Sequence, residues 1–331
     1  MVPLNLSKSK NQIGALIVGL VKSARPRQWL KNLAVFAPLV FSATLFVPEK
    51  FIIVVLTFLV FSALASAMYL INDVIDAPRD RIHPFKRKRP IAAGIVPPRL
   101  AILLALILTT ITLYLSFILN PFLATIALIF VIFQLSYTLW LKNIIILDVM
   151  MIAGTFILRV LAGAIVINAH VTIWFILAVS CLALFLAVGK RRSEKTLLAG
   201  EVAAEHRKTL LHYPDIFLDS LTIMFATTSW LSYTMFAFLE PIPTFSPTVM
   251  IFMGEFLPRT FFASKLLMAS VPFVIYAVMR YLYIIYERKE GESPERVLLS
   301  DKPLLISVVL WGLIVVSVIY GHSFFEGTIS P

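Results

Sequence analysis

The chain has a single cysteine, Cys181, among 331 residues, so no disulfide can form within it. Cys181 lies in an apolar run and reads as a small buried side chain. Charge is also scarce. Asp, Glu, Lys and Arg make up 14% of the residues while hydrophobic types make up 60%, against about 25% charged in a soluble domain. That shortage excludes a soluble globular protein. Alternating strand patterns are missing as well, which leaves an all-α integral membrane protein. Acids are scarcer than bases, 18 against 29, for a net charge of +11. In a soluble protein this balance would suggest nucleic acid. In a membrane protein, basic residues concentrated in the inner loops account for it, and no nucleic-acid partner is expected.

No small-residue cleavage site follows the apolar stretch GALIVGLV (14–21), and Lys22, Arg25 and Arg27 come at once. A cleaved signal peptide is therefore not expected. Residues 1–22 read as a cytoplasmic tail with an interfacial helix, and 23–331 as one membrane catalytic domain. A helix of about 20 apolar residues crosses a bilayer. Nine runs qualify: 29–47, 51–71, 100–119, 122–141, 149–169, 171–189, 216–239, 266–286 and 303–321. Asn120-Pro121 is the turn that divides the third from the fourth, and Pro38 and Pro272 fall inside spans as kinks. With the N-terminus inside, nearly all loop Lys and Arg lie on the cytoplasmic side. Lys50, Arg259 and Lys265 lie outside. The plasma (inner) membrane is the expected location, and a homo-oligomer is compatible with it. The inner loop 193–214 has helical spacing and mixed charge.

The chemistry concentrates in NDVIDAPRDRIHPFKRKRP (72–90). On a continuing helix, Asn72, Asp73, Asp76 and Asp80 share one face. Three carboxylates on one face repel one another unless water solvates them or they hold a divalent cation. Mg²⁺ suits a few carboxylates, water and substrate phosphates. Pro78 is expected to turn the chain before Asp80, which makes Asp80 the least secure ligand. The bases that follow, Lys86, Arg87, Lys88 and Arg89, can clamp phosphate or meet an anionic leaflet.

Other charges lie deeper. Arg159 is eleven residues beyond Asp148, about 16 Å along a helix. An ionisable residue at such depth marks either function or a structural ion pair, for example with Asp219. Asp148 can cap its helix or bind a substrate. Lys31, Asn32 and Lys142 fall on the same side as the acids and are further candidates.

At NDVIDAPRDRIHPFKRKRPIAAG the sequence resembles the UbiA superfamily of intramembrane prenyltransferases, whose N-D-x-x-D-x-x-x-D motif ends the second of nine helices. RPRQWLKN (25–32), YLINDVIDAPRDRIHPFKRKRPIAAG (69–94), LKNIIILDVMMIAGTFILRVLAG (141–163), GKRRSE (189–194) and RYLYIIYERKEGESPE (280–295) most resemble the decaprenyl-phosphate phosphoribosyltransferases of that superfamily. The resemblance implies a UbiA-like bundle, Mg²⁺ on Asp73, Asp76 and Asp80, phosphoribosyl pyrophosphate as donor and a polyprenyl (decaprenyl) phosphate as acceptor. Asp73, Asp76 and Arg159 would carry catalysis. Lys31, Asn32, Asn72, Lys86, Arg87, Arg89, Lys142, Asp148, Lys190, Arg191 and Glu194 would bind substrate.

Aromatic prenyltransferases of the superfamily carry a second aspartate-rich motif at the end of the sixth helix. Here that place reads GKRRSE. Acids on one side and bases on the other suit two anionic substrates better than one diphosphate and a neutral ring. Two competing functions follow from the same features: an aromatic prenyltransferase, or a transporter of a phosphorylated lipid.

Overall fold

A computed structural model describes residues 6–82, 86–197, 213–240, 263–288 and 294–329. Among the described residues there are helices and no strands, as the apolar runs require: in lipid a helix satisfies its backbone within itself. The α-helices are α1 (Leu6–Ala24), α2 (Ala37–Phe41), α3 (Pro48–Ile82), α4 (Pro98–Leu119), α5 (Pro121–Leu139), α6 (Leu147–Val166), α7 (Ile173–Leu197), α8 (Asp215–Leu239), α9 (Val271–Tyr283), α10 (Pro294–Ser300) and α11 (Lys302–Ile329). Asn120 caps α5 by accepting from the N–H groups of Phe122 and Leu123, so the expected turn is there.

Among the described residues, seven helical stretches are long and apolar enough to cross a membrane. The helix α8 has the length, 25 residues, but carries Asp215, Asp219 and many Ser and Thr. The expected span 29–47 is not one α-helix. It folds as a 3₁₀ helix, Pro26–Phe36, followed by the five-residue α2. Pro26 starts the 3₁₀ segment and Pro38 starts α2, the positions proline tolerates best. Most of the inner loop 193–214 lies outside the described residues, apart from 193–197, which end α7, and 213–214.

The helix α3 is 35 residues long, about 52 Å at 1.5 Å per residue. That exceeds the ~30 Å hydrocarbon core by about four turns. Pro78 does not end it. One hydrogen bond is lost near the terminus, and the buried pairing of Asp80 with Arg89, 2.6 Å, holds the final turns in place. Asp80 is therefore on the helix and in register with Asp73 and Asp76, contrary to the sequence expectation.

Two packed groups flank the site. Phe61 on α3 meets Phe130 on α5 at 5.2 Å between ring centroids, within a core built by α3, α4, α5 and α6. Phe41, Phe175 and Phe236 form a three-ring cluster with centroids 5.1–5.2 Å apart. Backbone meets backbone at Gly163. A Cβ there would lie 2.0 Å from the carbonyl oxygen of Val35. This close approach seats the 3₁₀ segment, which carries Lys31 and Asn32, against α6, which carries Arg159.

Gly163→Ala is expected to destabilise the purified protein by about 2 kcal/mol or more, because overpacking against rigid backbone cannot relax. Gly312→Ala, with open space around its site, should be neutral or slightly stabilising. Thermal unfolding in detergent compares the two.

Candidate active site

The end of α3, the 3₁₀ segment, α6, α7 and α10 enclose a cavity of about 1740 Å³. From the α3 side, Asn72, Asp76, Arg79 and Asp80 line it, with Lys86 and Arg89 from the following turn and Lys142 from the turn Leu141–Asn143. A second charged group comprises Lys31, Arg159, Lys190, Arg191, Glu194 and Glu295. Past Arg159 the wall becomes apolar, with Val160, Phe175, Leu182 and Trp311. Charge is unequal: among the described residues, counting Arg25, nine basic and four acidic side chains line the cavity.

Each aspartate of the motif is held by a base. Asp73, 2% exposed, is paired with Arg25 and lies 3.3 Å from Arg89. Arg89 also reaches Asp80, and Lys142 reaches Asp76 at 2.7 Å. Arg25 adopts left-handed backbone, φ 52°, where the chain leaves α1 for the 3₁₀ segment. That conformation costs a non-glycine residue of the order of 1–3 kcal/mol. It places the guanidinium on Asp73 and 4.9 Å from the centroid of the Tyr69 ring.

Asp76 and Asp80 face the cavity, whereas Asp73 is not on its wall. Among the described residues no three His, Cys, Asp or Glu side chains converge to form a metal cage. The donors present fit a different arrangement. Two cavity-facing carboxylates suit a Mg²⁺ that takes its remaining ligands from water and substrate phosphates.

Arg159 is 2% exposed. Its Nε donates to Asn32 Oδ1 (2.6 Å) and its Nη1 to the Thr155 carbonyl (2.7 Å), and its guanidinium lies over the rings of Phe130 and Phe156. No carboxylate among the described residues pairs with it. Asp219, the partner considered from sequence, is instead bound by Arg192 at 2.6 Å. A buried cation without a counter-ion, on the wall of a cavity, is a ready anion site. Asn32 is fully buried and does not line the cavity. Its amide donates to Ser62 Oγ at 3.0 Å, which leaves Oδ1 to orient Arg159. Its role is to position, not to touch substrate.

Three other expectations change. Asp148 neither caps its helix nor lines the cavity. It is 1% exposed, and its two oxygens accept from Arg191 Nε (2.6 Å) and the Tyr213 hydroxyl (2.7 Å). Arg191 borders the cavity but is itself 1% exposed. Asp148, Glu194 and Tyr137 occupy its three nitrogens. Lys190, at 3.8 Å from Glu194, is the more available base of GKRRSE. Arg87 is exposed and off the wall, because the short turn Lys86–Lys88 directs it away from the cavity.

Tyr213 also accepts from the N–H of Ile146, 2.6 Å, a β-branched residue at φ 71°. Burial pushes the Tyr213 phenol above the usual tyrosine range, so it remains a proton donor to Asp148. Sequence reasoning missed Arg25, Arg79 and Glu295 as cavity residues. Arg25 and Glu295 fall in the blocks RPRQWLKN and RYLYIIYERKEGESPE, which was the available signal.

A model of the UbiA prenyltransferase family matches residues 33–296. Among curated proteins, the chain is 34% identical over 300 residues to a decaprenyl-phosphate phosphoribosyltransferase of Mycolicibacterium smegmatis, covering 89% of this chain and 91% of that one. It is 33% identical over 308 residues to the protein of the same name from Corynebacterium glutamicum, covering 91% and 87%. Among solved structures, the fold is similar to a UbiA homolog from Archaeoglobus fulgidus bound to GPP and Mg²⁺. That match has a TM-score of 0.64 at 19% identity and covers 91% of this chain and 99% of that one. The helical membrane bundle, the cavity at the end of α3 and these matches together place the chain in the UbiA prenyltransferase family.

Proposed function

We propose that the chain transfers the 5-phosphoribosyl group of phosphoribosyl pyrophosphate to a polyprenyl phosphate, decaprenyl phosphate in the first instance, and releases pyrophosphate. The product would serve as a precursor of lipid-linked arabinose. The observation that carries this reading is the unequal charge of the cavity, nine bases to four acids among the described residues, none of whose carboxylates pairs with Arg159. A wall so cationic suits two phosphate-bearing substrates. The names of the relatives at 33–34% identity support the same pair.

The chemistry needs little from the protein beyond charge and position. An oxygen of the acceptor phosphate forms a bond to C1 of the ribosyl ring. The bond from C1 to the pyrophosphate oxygen breaks, and its electron pair leaves with pyrophosphate. A phosphate monoester has a second pKa of about 6, so the nucleophile is already ionised and no general base is required. Positive charge develops at the ring as in glycosyl transfer. Asp76 and Asp80, with Asp73 behind them, would hold Mg²⁺, which supplies neutralisation of the pyrophosphate when bound. Arg89, Lys86 and Lys142 stand beside these carboxylates and can bind phosphate oxygens. Arg159, Lys31 and Lys190 would hold the acceptor phosphate, with the lipid leading away over Val160 and Phe175.

In this reading the protein lies in the plasma membrane, as one catalytic domain over 23–331 behind a cytoplasmic tail, with the N-terminus and the cavity mouth cytoplasmic. Nine crossings remain consistent with the helices. The segment 26–41 reaches roughly 30 Å with 3₁₀ rise followed by α rise, and α8 supplies the other crossing.

Purified protein with Mg²⁺ and a polyprenyl phosphate should release pyrophosphate from phosphoribosyl pyrophosphate and form a charged lipid. It should leave a prenyl diphosphate with an aromatic acid unchanged. Prenylation of the aromatic acid, with phosphoribosyl pyrophosphate inert, would restore the aromatic prenyltransferase.

Variants separate the groups further. Asp76→Asn and Arg159→Gln should each lower kcat/KM by roughly a hundredfold or more, the usual loss when a charge-stabilising group is removed. Arg87→Ala should stay within about twofold, as expected of an exposed surface charge. Equal behaviour of all three in steady-state kinetics would contradict this division of roles.

A further inference from the structure

Glu295 is an acid in the more basic part of the cavity. It stands in the first turn of α10 and lines the wall. Its Oε1 accepts from Gln28 Nε2 at 2.5 Å. Its Oε2 is buried and makes no hydrogen bond among the described residues; it is only ion-paired, at 3.7 Å, with Lys31 Nζ. A buried carboxylate oxygen without a donor is costly. Gln28 fixes the carboxylate from behind, so the bare oxygen does not arise from a loose side chain. A first-turn acid favours the helix dipole, but that explains the presence of an acid and not a carboxylate oxygen left without a hydrogen bond.

The ligand chemistry follows from the sign of the charge. A phosphate would be repelled by this oxygen and has nine bases elsewhere. A hydroxyl group donates to it without adding charge. We infer that Glu295 reads a hydroxyl of the donor sugar. This deepens the proposed function and rests on it: phosphates bind the bases, while the ring diol of the phosphoribosyl donor supplies the hydroxyl that Oε2 lacks. A prenyl diphosphate carries no hydroxyl. Glu295 is then a specificity-determining residue that separates a sugar donor from an isoprenoid one.

The test couples the residue to the substrate group. Phosphoribosyl pyrophosphate and its 2-deoxy and 3-deoxy analogues are compared as donors with wild type, Glu295→Gln and Glu295→Met, each checked for thermal stability. A hydrogen bond to a charged group is worth roughly ten- to a hundredfold. One deoxy analogue should lose that much kcat/KM in wild type. The loss should shrink in Glu295→Gln, which keeps a neutral acceptor, and fall to about threefold or less in Glu295→Met. Wild-type turnover of the natural donor with no penalty for either analogue overturns the inference alone. So does an equal penalty in wild type and the folded variants. Wild type that turns over no phosphoribosyl donor overturns the proposed reaction and this inference with it.

Discussion

A charge held inside a membrane bundle needs either an opposite charge or water, because the apolar surroundings cannot stabilise it. The organisation of this protein follows from that requirement. Asp73 is buried against Arg25 and Arg89 and Asp148 against Arg191, while the partly exposed Asp76 pairs with Lys142. Each pair ties a helix to a segment distant in sequence. Asp148 with Arg191 joins α6 to α7, and Arg25 with Asp73 joins the entry of the 3₁₀ segment to α3. Arg159 departs from the pattern. Hydrogen bonds and aromatic faces hold it, no carboxylate among the described residues neutralises it, and it lies where the cavity passes from polar to apolar. Among the described residues the structure thus leaves positive charge unbalanced on the cavity wall.

Backbone contacts keep that arrangement rigid. The approach of Gly163 to the Val35 carbonyl brings Asn32 onto Arg159, and Ser62 on α3 fixes the amide of Asn32. Arg159 is therefore oriented by the 3₁₀ segment, which lies this close to α6 because residue 163 has no side chain. On the far side, Tyr213 spans the strained Ile146 and the carboxylate of Asp148, which settles Arg191 and leaves Lys190 nearer the cavity. Off the cavity wall, Asp301 accepts from Arg280 and Arg288 and caps the start of α11 through the Leu304 N–H. Those hydrogen bonds, Arg280 first, hold its carboxyl below the usual carboxylate range.

Much of this was legible from sequence. Long apolar runs announce helices, and the i, i+3, i+7 spacing of Asp73, Asp76 and Asp80 announces a shared face. Lys31, Asn72, Lys86, Arg89, Lys142, Arg159, Lys190 and Glu194 do meet at one cavity. What sequence could not settle was the direction of each side chain. Asp148, Asn32 and Arg191 have the chemistry of ligands, yet tertiary contacts occupy Asp148 and Arg191 with each other and with Tyr213 and Tyr137, and Asn32 with Arg159 and Ser62. Pro78 is a helix breaker by rule, but near a helix end one missing hydrogen bond weighs less than the burial of Asp80. The segment 26–41 has the composition of a membrane helix, and its 3₁₀ geometry depends on packing against α3 and α6 that no local pattern records.

The central claim is that the cavity holds two anions at once, one beside the aspartates and one at Arg159. A competition measurement on purified protein in nanodiscs addresses it directly. Labelled polyprenyl phosphate is bound first, and pyrophosphate is then titrated in the presence and absence of Mg²⁺. Two sites predict that lipid stays bound while pyrophosphate adds to it only with Mg²⁺, and that Arg159→Gln weakens the lipid and not the pyrophosphate. Stoichiometric displacement of the lipid by pyrophosphate would show a single shared anion site and contradict the account.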